Sequence, residues 1–274
     1  MAPAAPPANK VCGVIPARLG STRLPGKVLR ELAGRPLLAW VIAGASHPDL
    51  LGELIVATDS EEVAALAESL GCRAMMTSPH HHSGSDRLFE VAGRLSADIY
   101  VNIQGDEPLV RREHLEALLA PFAQAGVRVT TLATPIPREE AADPNRVKVV
   151  VGADWRALYF SRSIIPFDRE GSPNGPLLKH LGFYAYRAEV LAAFHALAPS
   201  PLERRERLEQ LRLLEHGIPI HVALTPFDTV GVDTEEDLRL AERLLLAAGR
   251  GQGRMNGHAA PVATPPGSRP PGKA

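Results

Sequence analysis

Short apolar runs alternate with helical patterns along the first half of the chain, and this alternation limits the possible folds more than any other feature. Apolar runs typical of buried strands occupy residues 11–15, 54–57, 74–76, 99–103 and 127–133. Helical patterns separate them at 36–46, from Ser60 onward, at 85–94 and at 112–124. Strands and helices that alternate at this spacing predict an α/β fold with a mostly parallel sheet and crossover helices.

The second half of the chain is less regular, and both ends differ in composition from the middle. Strands are predicted at 147–151, 183–186 and 220–224, and helices at 202–216 and, capped by Thr234, at 234–246. Residues 1–9 and 249–274 are rich in Ala, Pro and Gly and offer little apolar surface for packing. We therefore expect one folded domain at 10–248 between two disordered tails, to which no function is assigned.

Charge and composition exclude several classes of protein. The 274 residues include 30 Lys plus Arg against 31 Asp plus Glu, whereas a protein that binds nucleic acid through bulk charge is expected to be basic. No apolar run approaches the length of a membrane-spanning helix, and the N-terminus lacks the pattern of a secretory signal. Cys12 and Cys72 are expected to be buried free thiols in a reducing compartment. The sequence thus predicts a cytoplasmic protein with no nucleic-acid or membrane partner.

A basic loop follows the first predicted strand. Arg18, Arg23 and Lys27 lie within ten residues of a loop, residues 16–27, that also contains two glycines and two prolines. Guanidinium forks, an ammonium group and closely approaching backbone N–H groups together suit a triphosphate. The loop is not a Walker A motif, because Lys27 is followed by Val28 rather than by a hydroxyl residue. A solvated basic loop without a ligand is the alternative interpretation.

Acidic residues follow the strand at 99–103 and precede the last helix. Asp106 and Glu107 lie where parallel strands of this kind bind ligands, and carboxylates there can hold a divalent cation together with substrate phosphates. Asp233 is a candidate second metal ligand from a remote part of the chain. A tight acidic turn at 106–107, and a mere neighbour of a helix N-cap at Asp233, remain the alternatives.

Small and imidazole side chains occupy the segment 80–85. Three adjacent histidines at 80–82 point in different directions and share no usual ligand spacing with Cys or Asp, so a metal site there is disfavoured. Ser83, Gly84 and Ser85 are small and rich in hydroxyl groups, which suits contact with a base or ribose. The same three residues could equally form a helix cap.

An ordered set of motifs identifies a family that the chain resembles. The motifs are IPAR (15–18), STRLPGK (21–27), ATD (57–59), SGSDR (83–87), NIQGDEP (102–108), ALYFSR (157–162), HLGFYAYR (180–187), PSPLE (199–203), LEQLR (208–212) and GVDT (231–234). Together they resemble the 3-deoxy-manno-octulosonate cytidylyltransferases, also called CMP-Kdo synthetases. The resemblance covers about residues 11–246. It departs at Ser85, where the family often has Thr, and at Phe167, where it often has Trp.

The resemblance implies a fold, an activity and a set of site residues. Members of the family have a Rossmann-like nucleotidyltransferase fold with an inserted dimerisation and sugar-binding portion, and they form homodimers. They use Mg²⁺ to couple CTP to the acidic sugar Kdo and release pyrophosphate. The product, CMP-Kdo, is used in lipopolysaccharide biosynthesis. The residues implied for the nucleotide are Arg18, Ser21, Arg23, Lys27, Ser83, Gly84, Ser85 and Gln104. Those implied for the sugar are Gln104, Arg162, His180, Tyr184, Glu209 and Gln210. Among them we expect Arg162 to bind the sugar carboxylate, because a planar guanidinium matches a carboxylate, with a structural ion pair as the alternative. The metal ligands would be Asp106 and Asp233, and the catalytic residues would be Arg18, Lys27, Asp106 and Asp233.

Related activities remain open at the level of sequence. CTP-dependent activation of 8-amino-Kdo or of a sialic acid would need a similar site, although the sialic acid enzymes typically have a different sequence after the Ala-Arg of the basic loop. A nucleotide-binding regulator without catalysis is a further alternative, which the presence of both Asp106 and Asp233 disfavours.

Overall fold

The main sheet is organised around β1 (Val11–Pro16), which lies between two parallel neighbours, β4 (Glu53–Thr58) and β6 (Ile99–Asn102). The protein is described by a computed structural model that covers residues 9–20, 23–81, 83–169 and 176–251. β5 (Arg73–Met76) extends the parallel part beyond β4. This parallel core confirms the α/β prediction for the first half of the chain.

An antiparallel strand joins the two halves of the sheet. β10 (Leu177–Arg187) runs between β6 and β7 (Val129–Ile136) and is antiparallel to both, while β11 (His221–Leu224) pairs in parallel with β7. The hairpin of β8 (Lys148–Val151) and β9 (Ala157–Ser161) attaches to β10. Within the described residues the main sheet has nine strands, and β2 (Glu31–Leu32) forms a separate small hairpin with β3 (Arg35–Pro36).

The helices connect and cover these strands. They are α1 (Leu37–Ala45), α2 (Glu61–Ser69), α3 (Gly84–Arg94), α4 (Arg112–Leu119), α5 (Arg138–Ala141), α6 (Ala188–Ala196), α7 (Pro201–Glu206), α8 (Gln210–Glu215) and α9 (Glu235–Gly251). The hydroxyl of Ser60 accepts a hydrogen bond from the N–H of Val63 at the start of α2, and Thr234 caps α9 through the N–H of Asp237. Both predicted helix caps are therefore confirmed.

Apolar side chains alternate between two cores on opposite faces of the sheet. Ile15, Val56 and Val101 belong to one buried cluster, whereas their chain neighbours Val14 and Ile55 belong to the other. Successive strand residues point to opposite faces, so strands that are apolar at every position fit a sheet that is covered on both sides. Cys12 and Cys72 are buried free thiols, as predicted.

Three element predictions need correction. The helix predicted at 202–216 is broken at Arg207, which has a φ of 54° and ends α7 in the left-handed conformation, so that α8 begins at Gln210. The helix predicted at 112–124 ends at Leu119 and continues as a 3₁₀ turn around Pro121, whose ring nitrogen cannot donate to the helix. The strand predicted at 183–186 is the last part of the longer β10.

The predicted domain limits are only partly covered by the structure. α9 continues to Gly251, past the predicted limit at 248. Residues 1–8 and 252–274, which contain most of the two predicted tails, lie outside the described residues. Among the helices that are described, none is both long and apolar enough to span a bilayer.

Candidate active site

The basic loop and the acidic loop meet at the carboxyl ends of β1 and β6. These strands are parallel neighbours, so the loops that follow them leave the sheet at the same edge. A Cβ built on Gly105 would lie only 2.5 Å from the carbonyl oxygen of Pro16, so the acidic loop can pass this close to β1 only with glycine at that position. The chain thereby places Asp106 beside the loop that carries Arg18, Arg23 and Lys27.

These loops enclose what we call the nucleotide cavity, of about 330 Å³. Its walls include most of the residues predicted for the nucleotide and metal: Arg18, Arg23, Lys27, Ser83, Gly84, Gln104, Asp106 and Asp233. Ser21 lies outside the described residues. The structure thus brings together side chains that come from four separate parts of the sequence.

Lys27 lies between the two aspartates. Its Nζ is 2.5 Å from Oδ2 of Asp106 and 3.0 Å from Oδ1 of Asp233, while Nη2 of Arg23 lies 2.8 Å from Oδ2 of Asp233. A backbone hydrogen bond of 2.9 Å from the N–H of Val232 to the carbonyl oxygen of Asp106 holds the remote segment in place. Burial alone would lower the pKa of Lys27, but the charges and hydrogen bonds of the two carboxylates raise it above its ordinary value.

The start of α3 forms the opposite wall of the nucleotide cavity. Ser83 is the N-cap of this helix, and its hydroxyl and backbone N–H exchange hydrogen bonds with Asp86 in a capping box. Ser83 and Gly84 also line the cavity. The helix-cap interpretation is therefore confirmed, whereas contact of this segment with a base or ribose stays a prediction for residues that line the cavity.

A second space, which we call the sugar-side cavity, adjoins the first and has about 210 Å³. It shares Gln104 and Glu209 with the nucleotide cavity, and the Nε2 group of Gln104 donates to the carbonyl oxygen of Gly182. It brings together five of the residues implied for the sugar, Gln104, His180, Tyr184, Glu209 and Gln210. Ser85, which was implied for the nucleotide, also lines this second cavity. The two cavities are thus contiguous, as the transfer of a group between two ligands requires.

Burial shifts the pKa values of Glu209 and His180, which both line the sugar-side cavity. It raises the pKa of Glu209, which a hydrogen bond from Ser85 partly opposes. It lowers the pKa of His180 to about 3, and the neighbouring charge of Lys179 acts in the same direction. His180 is therefore a neutral imidazole at ordinary pH, and its Nε2 lies 3.0 Å from the Oγ1 of Thr131.

Arg162, predicted to bind the sugar carboxylate, does not line either of these cavities. It borders a neighbouring cleft of about 890 Å³. Its guanidinium donates to the backbone carbonyl oxygens of Pro144, Glu206 and Arg207, at 3.1, 2.8 and 3.4 Å respectively. These contacts hold the turn between α7 and α8, so the structure shows a role in fixing that turn, and the contact with a carboxylate stays a prediction.

Three side chains near the cavities were not among the residues assigned to the nucleotide, the sugar or the metal, although Glu107 belongs to the acidic pair that follows β6. Arg87 and His81 line the nucleotide cavity, where Arg87 forms an ion pair of 2.5 Å with Asp59 and His81 lies 2.5 Å from Oε2 of Glu90. Glu107 is buried behind Asp106, and burial raises its pKa to about 7, with a hydrogen bond from Thr229 opposing the rise. Arg87 belongs to the motif SGSDR and Glu107 to NIQGDEP, so the sequence pattern could have drawn attention to both residues. Their burial, however, becomes known only from the folded structure.

Asp106 and Asp233 suit an ion such as Mg²⁺, which is bound by few protein ligands together with substrate phosphates. They do not form a site in which protein side chains alone would enclose a metal. Among the described residues no group of three or more His, Cys, Asp and Glu side chains could enclose an ion. Two carboxylates do converge on one cation, the ammonium of Lys27, in a cavity with room for phosphates. Mg²⁺ is commonly bound by one or two carboxylates together with water and substrate phosphates, so the residues present fit this ion.

Comparisons with known proteins agree with this arrangement. The cytidylyltransferase family model matches residues 12–220. A 3-deoxy-manno-octulosonate cytidylyltransferase of Acidobacterium capsulatum is 58% identical over 236 residues, covering 86% of this chain and 96% of that protein. The corresponding protein of Koribacter versatilis is 52% identical over 236 residues, covering 86% of this chain and 90% of its own length.

Solved structures give the same result. The structure of a CMP:2-keto-3-deoxy-manno-octonic acid synthetase in complex with CTP superposes with a TM-score of 0.83 and 43% identity, covering 87% of this chain and 99% of that one. The 4-diphosphocytidyl-2C-methyl-D-erythritol synthase of Anaerococcus prevotii, at 12% identity and a TM-score of 0.58, shares the fold alone. With the identity, the coverage and the motifs in agreement, the chain belongs to the 3-deoxy-manno-octulosonate cytidylyltransferase family.

Proposed function

We propose that the chain transfers a cytidylyl group from CTP to 3-deoxy-manno-octulosonate (Kdo), giving CMP-Kdo and pyrophosphate for lipopolysaccharide biosynthesis. One observation carries the proposal most directly: the three cationic side chains of the basic loop and the remote carboxylates of Asp106 and Asp233 line one cavity, which adjoins a second cavity with polar groups in its lining. The family and the CTP complex of a relative support the same nucleotide and sugar.

The nucleotide cavity would bind the triphosphate through Arg18, Arg23 and Lys27. Their positive charges would stabilise the charge that develops on the leaving pyrophosphate, and Lys27 is the most enclosed of these three, with 15% of its side chain exposed. Ser83 and Gly84 present the N-terminal end of α3 to the nucleotide. Positioning and charge stabilisation dominate phosphoryl-type transfer, so these fixed charges account for much of what the protein must supply.

Asp106 and Asp233 would hold Mg²⁺. When bound, Mg²⁺ would neutralise phosphate charge and polarise the attacking hydroxyl group of the sugar. The two aspartates come from loops that a backbone hydrogen bond joins, so their spacing is set before any ligand arrives. The anomeric hydroxyl of Kdo would then attack the α-phosphorus of CTP from the sugar-side cavity, and pyrophosphate would leave in line.

The sugar would lie among Gln104, His180, Tyr184, Glu209 and Gln210. His180 is neutral, so it, Tyr184 and Gln210 offer hydrogen-bonding groups to the hydroxyl groups of the sugar. Arg162 fixes the adjoining turn and is proposed to reach the sugar carboxylate from the neighbouring cleft.

A homodimer in the cytoplasm is also proposed. The buried free thiols of Cys12 and Cys72 suit a reducing compartment. The apolar side chains of Phe167 and Leu158 are 85% and 64% exposed, and contact with a second copy of the chain would remove them from water. Size measurement by light scattering tests the dimer: a monomer at micromolar concentration would contradict it.

The function is tested by pyrophosphate release across CTP and UTP, several acidic sugars, and the presence or absence of Mg²⁺. We expect release only with CTP, Kdo and Mg²⁺ together. Preference for 8-amino-Kdo or a sialic acid would transfer the proposal to that sugar, whereas nucleotide binding without release under any condition would indicate a regulator.

A further inference from the structure

The ammonium of Lys27 occupies the place where the two metal-binding candidates converge. Its Nζ contacts one oxygen of Asp106 at 2.5 Å and one oxygen of Asp233 at 3.0 Å. The exposed fractions of the Asp106 and Asp233 side chains are 26% and 43%, so both carboxylates can still be reached from the cavity. Without a cation between them, two carboxylates that are close enough to contact the same ammonium would repel each other.

The backbone fixes both carboxylates independently of Lys27. The acidic loop is held against β1 by the close approach of Gly105 to the carbonyl oxygen of Pro16. The segment before α9 is held by the hydrogen bond from Val232 to Asp106, and the N–H of Asp233 donates to the side chain of Asp237 at 3.1 Å. Removing the ammonium should therefore leave both acids near their places, ready for another cation.

We propose that Lys27 is a built-in cation that exchanges with the divalent ion: it pairs with Asp106 and Asp233 in the free protein, leaves them when the ion binds, and then binds the triphosphate. This inference rests on the proposed function and adds a defined exchange to it. The ammonium of Lys27 binds the carboxylates and the phosphates in turn, because it cannot lie within hydrogen-bonding distance of both at the same time.

The exchange makes the metal and the nucleotide depend on each other. A divalent ion that takes the carboxylates frees a positive charge inside the nucleotide cavity, beside Arg18 and Arg23. A triphosphate that attracts Lys27 likewise frees the carboxylates. By linkage, each ligand then raises the affinity for the other by the same factor, in addition to any direct contact between metal and phosphate.

Binding of Mn²⁺ to the nucleotide-free protein, followed by electron paramagnetic resonance, tests the first half of the exchange. Lys27→Met removes the competing ammonium, and we expect the affinity for Mn²⁺ to rise by about tenfold. Arg18→Met is the matched control, because Arg18 lines the same cavity but forms no ion pair with either aspartate in the described part of the chain. Equal gains in the two variants would show a general charge effect and overturn the exchange.

Binding of CTP in the presence of a chelator tests the second half. Asp106→Asn should leave Lys27 with Asp233 as its one carboxylate partner and so make the ammonium easier for a phosphate to attract. We expect this substitution to strengthen metal-free binding of CTP by about threefold more in the wild-type background than in the Lys27→Met background. The double-mutant cycle removes the general effect of losing one negative charge, which is the same in both backgrounds. Equal effects of Asp106→Asn in the two backgrounds would contradict the exchange.

The outcomes separate this inference from the function on which it rests. If Mn²⁺ binds the wild-type protein, Asp106→Asn abolishes that binding and Lys27→Met does not strengthen it, the exchange is wrong while the metal site stands. If Mn²⁺ binding to the wild-type protein is the same as to Asp106→Asn, both the exchange and the proposed metal site are wrong. A melting temperature for each variant shows that the folded protein was measured.

Discussion

The imidazole of His180 should make the protein lose stability in mildly acidic solution. Its Nε2 lies 3.0 Å from the Oγ1 of Thr131, and its ring packs against Phe160 and Tyr184. Burial in this wall lowers the pKa from 6.5 to about 3, with the charge of Lys179 acting in the same direction. The folded protein therefore keeps His180 neutral at pH values at which the unfolded chain takes up a proton.

The size of the effect follows from the two pKa values. The stability that neutral His180 contributes is fully present above the unfolded pKa of 6.5 and is lost as the pH falls from there towards about 3. At about pH 5 the loss is about 2 kcal/mol, since one pKa unit corresponds to about 1.4 kcal/mol. This figure depends mainly on the unfolded pKa, because at that pH the folded protein remains almost unprotonated at His180.

Urea unfolding at about pH 8 and about pH 5 measures this loss. His180→Gln keeps a polar group that can reach Thr131 but cannot take up a proton in this range. We expect the wild-type protein to lose about 2 kcal/mol more of its free energy of unfolding between the two pH values than this variant does. His216→Gln, which removes an exposed imidazole at the end of α8, controls for the loss of a histidine as such. Parallel pH dependences in the wild type and His180→Gln would refute the reasoning.

Three further substitutions test the site and its supports. Asp106→Asn should reduce Mg²⁺-dependent pyrophosphate release by orders of magnitude while the circular dichroism spectrum is kept, and near-normal turnover would remove Asp106 from the metal site. Gly105→Ala would bring a methyl group to 2.5 Å from the carbonyl oxygen of Pro16, so we expect urea unfolding to show a loss of about 2 kcal/mol; an unchanged midpoint would mean that the loops do not need this contact. Arg87→Met should cost about 3 kcal/mol by leaving Asp59 unpaired, and adding Asp59→Asn should recover part of that loss; no recovery would show that the ion pair is not the cause.

The parallel core could be predicted from sequence because local patterns determine it. Residues 11–15, 54–57 and 99–103 are apolar at nearly every position, as expected for strands covered on both faces, and the structure places strands at all three. The hydroxyl groups of Ser60 and Thr234 marked helix starts for an equally local reason. The meeting of the basic and acidic loops then follows from the rule that parallel strands direct their carboxyl ends to one edge.

Other features depend on contacts that no local pattern contains. Nothing in the charged stretch 202–216 marks Arg207 as the residue that adopts a left-handed conformation, because Gly is the usual residue there. The carbonyl partners of Arg162 come from two distant segments, so its structural role appears only when the chain is folded. The position of Lys27 between Asp106 and Asp233 is of the same kind, since 206 residues separate Lys27 from Asp233.

The main-chain contact between Gly105 and Pro16, with the hydrogen bond from Val232 to Asp106, has a practical consequence for studying this family. Because backbone atoms hold the charged loops at their distance, the side chains on them can be exchanged one at a time without moving their neighbours. Kinetic differences between such variants would then report the chemistry of the substituted group itself. A comparison of lysine, arginine and methionine at position 27 could be interpreted in that way, as the effect of one cationic group between loops whose backbone stays in place.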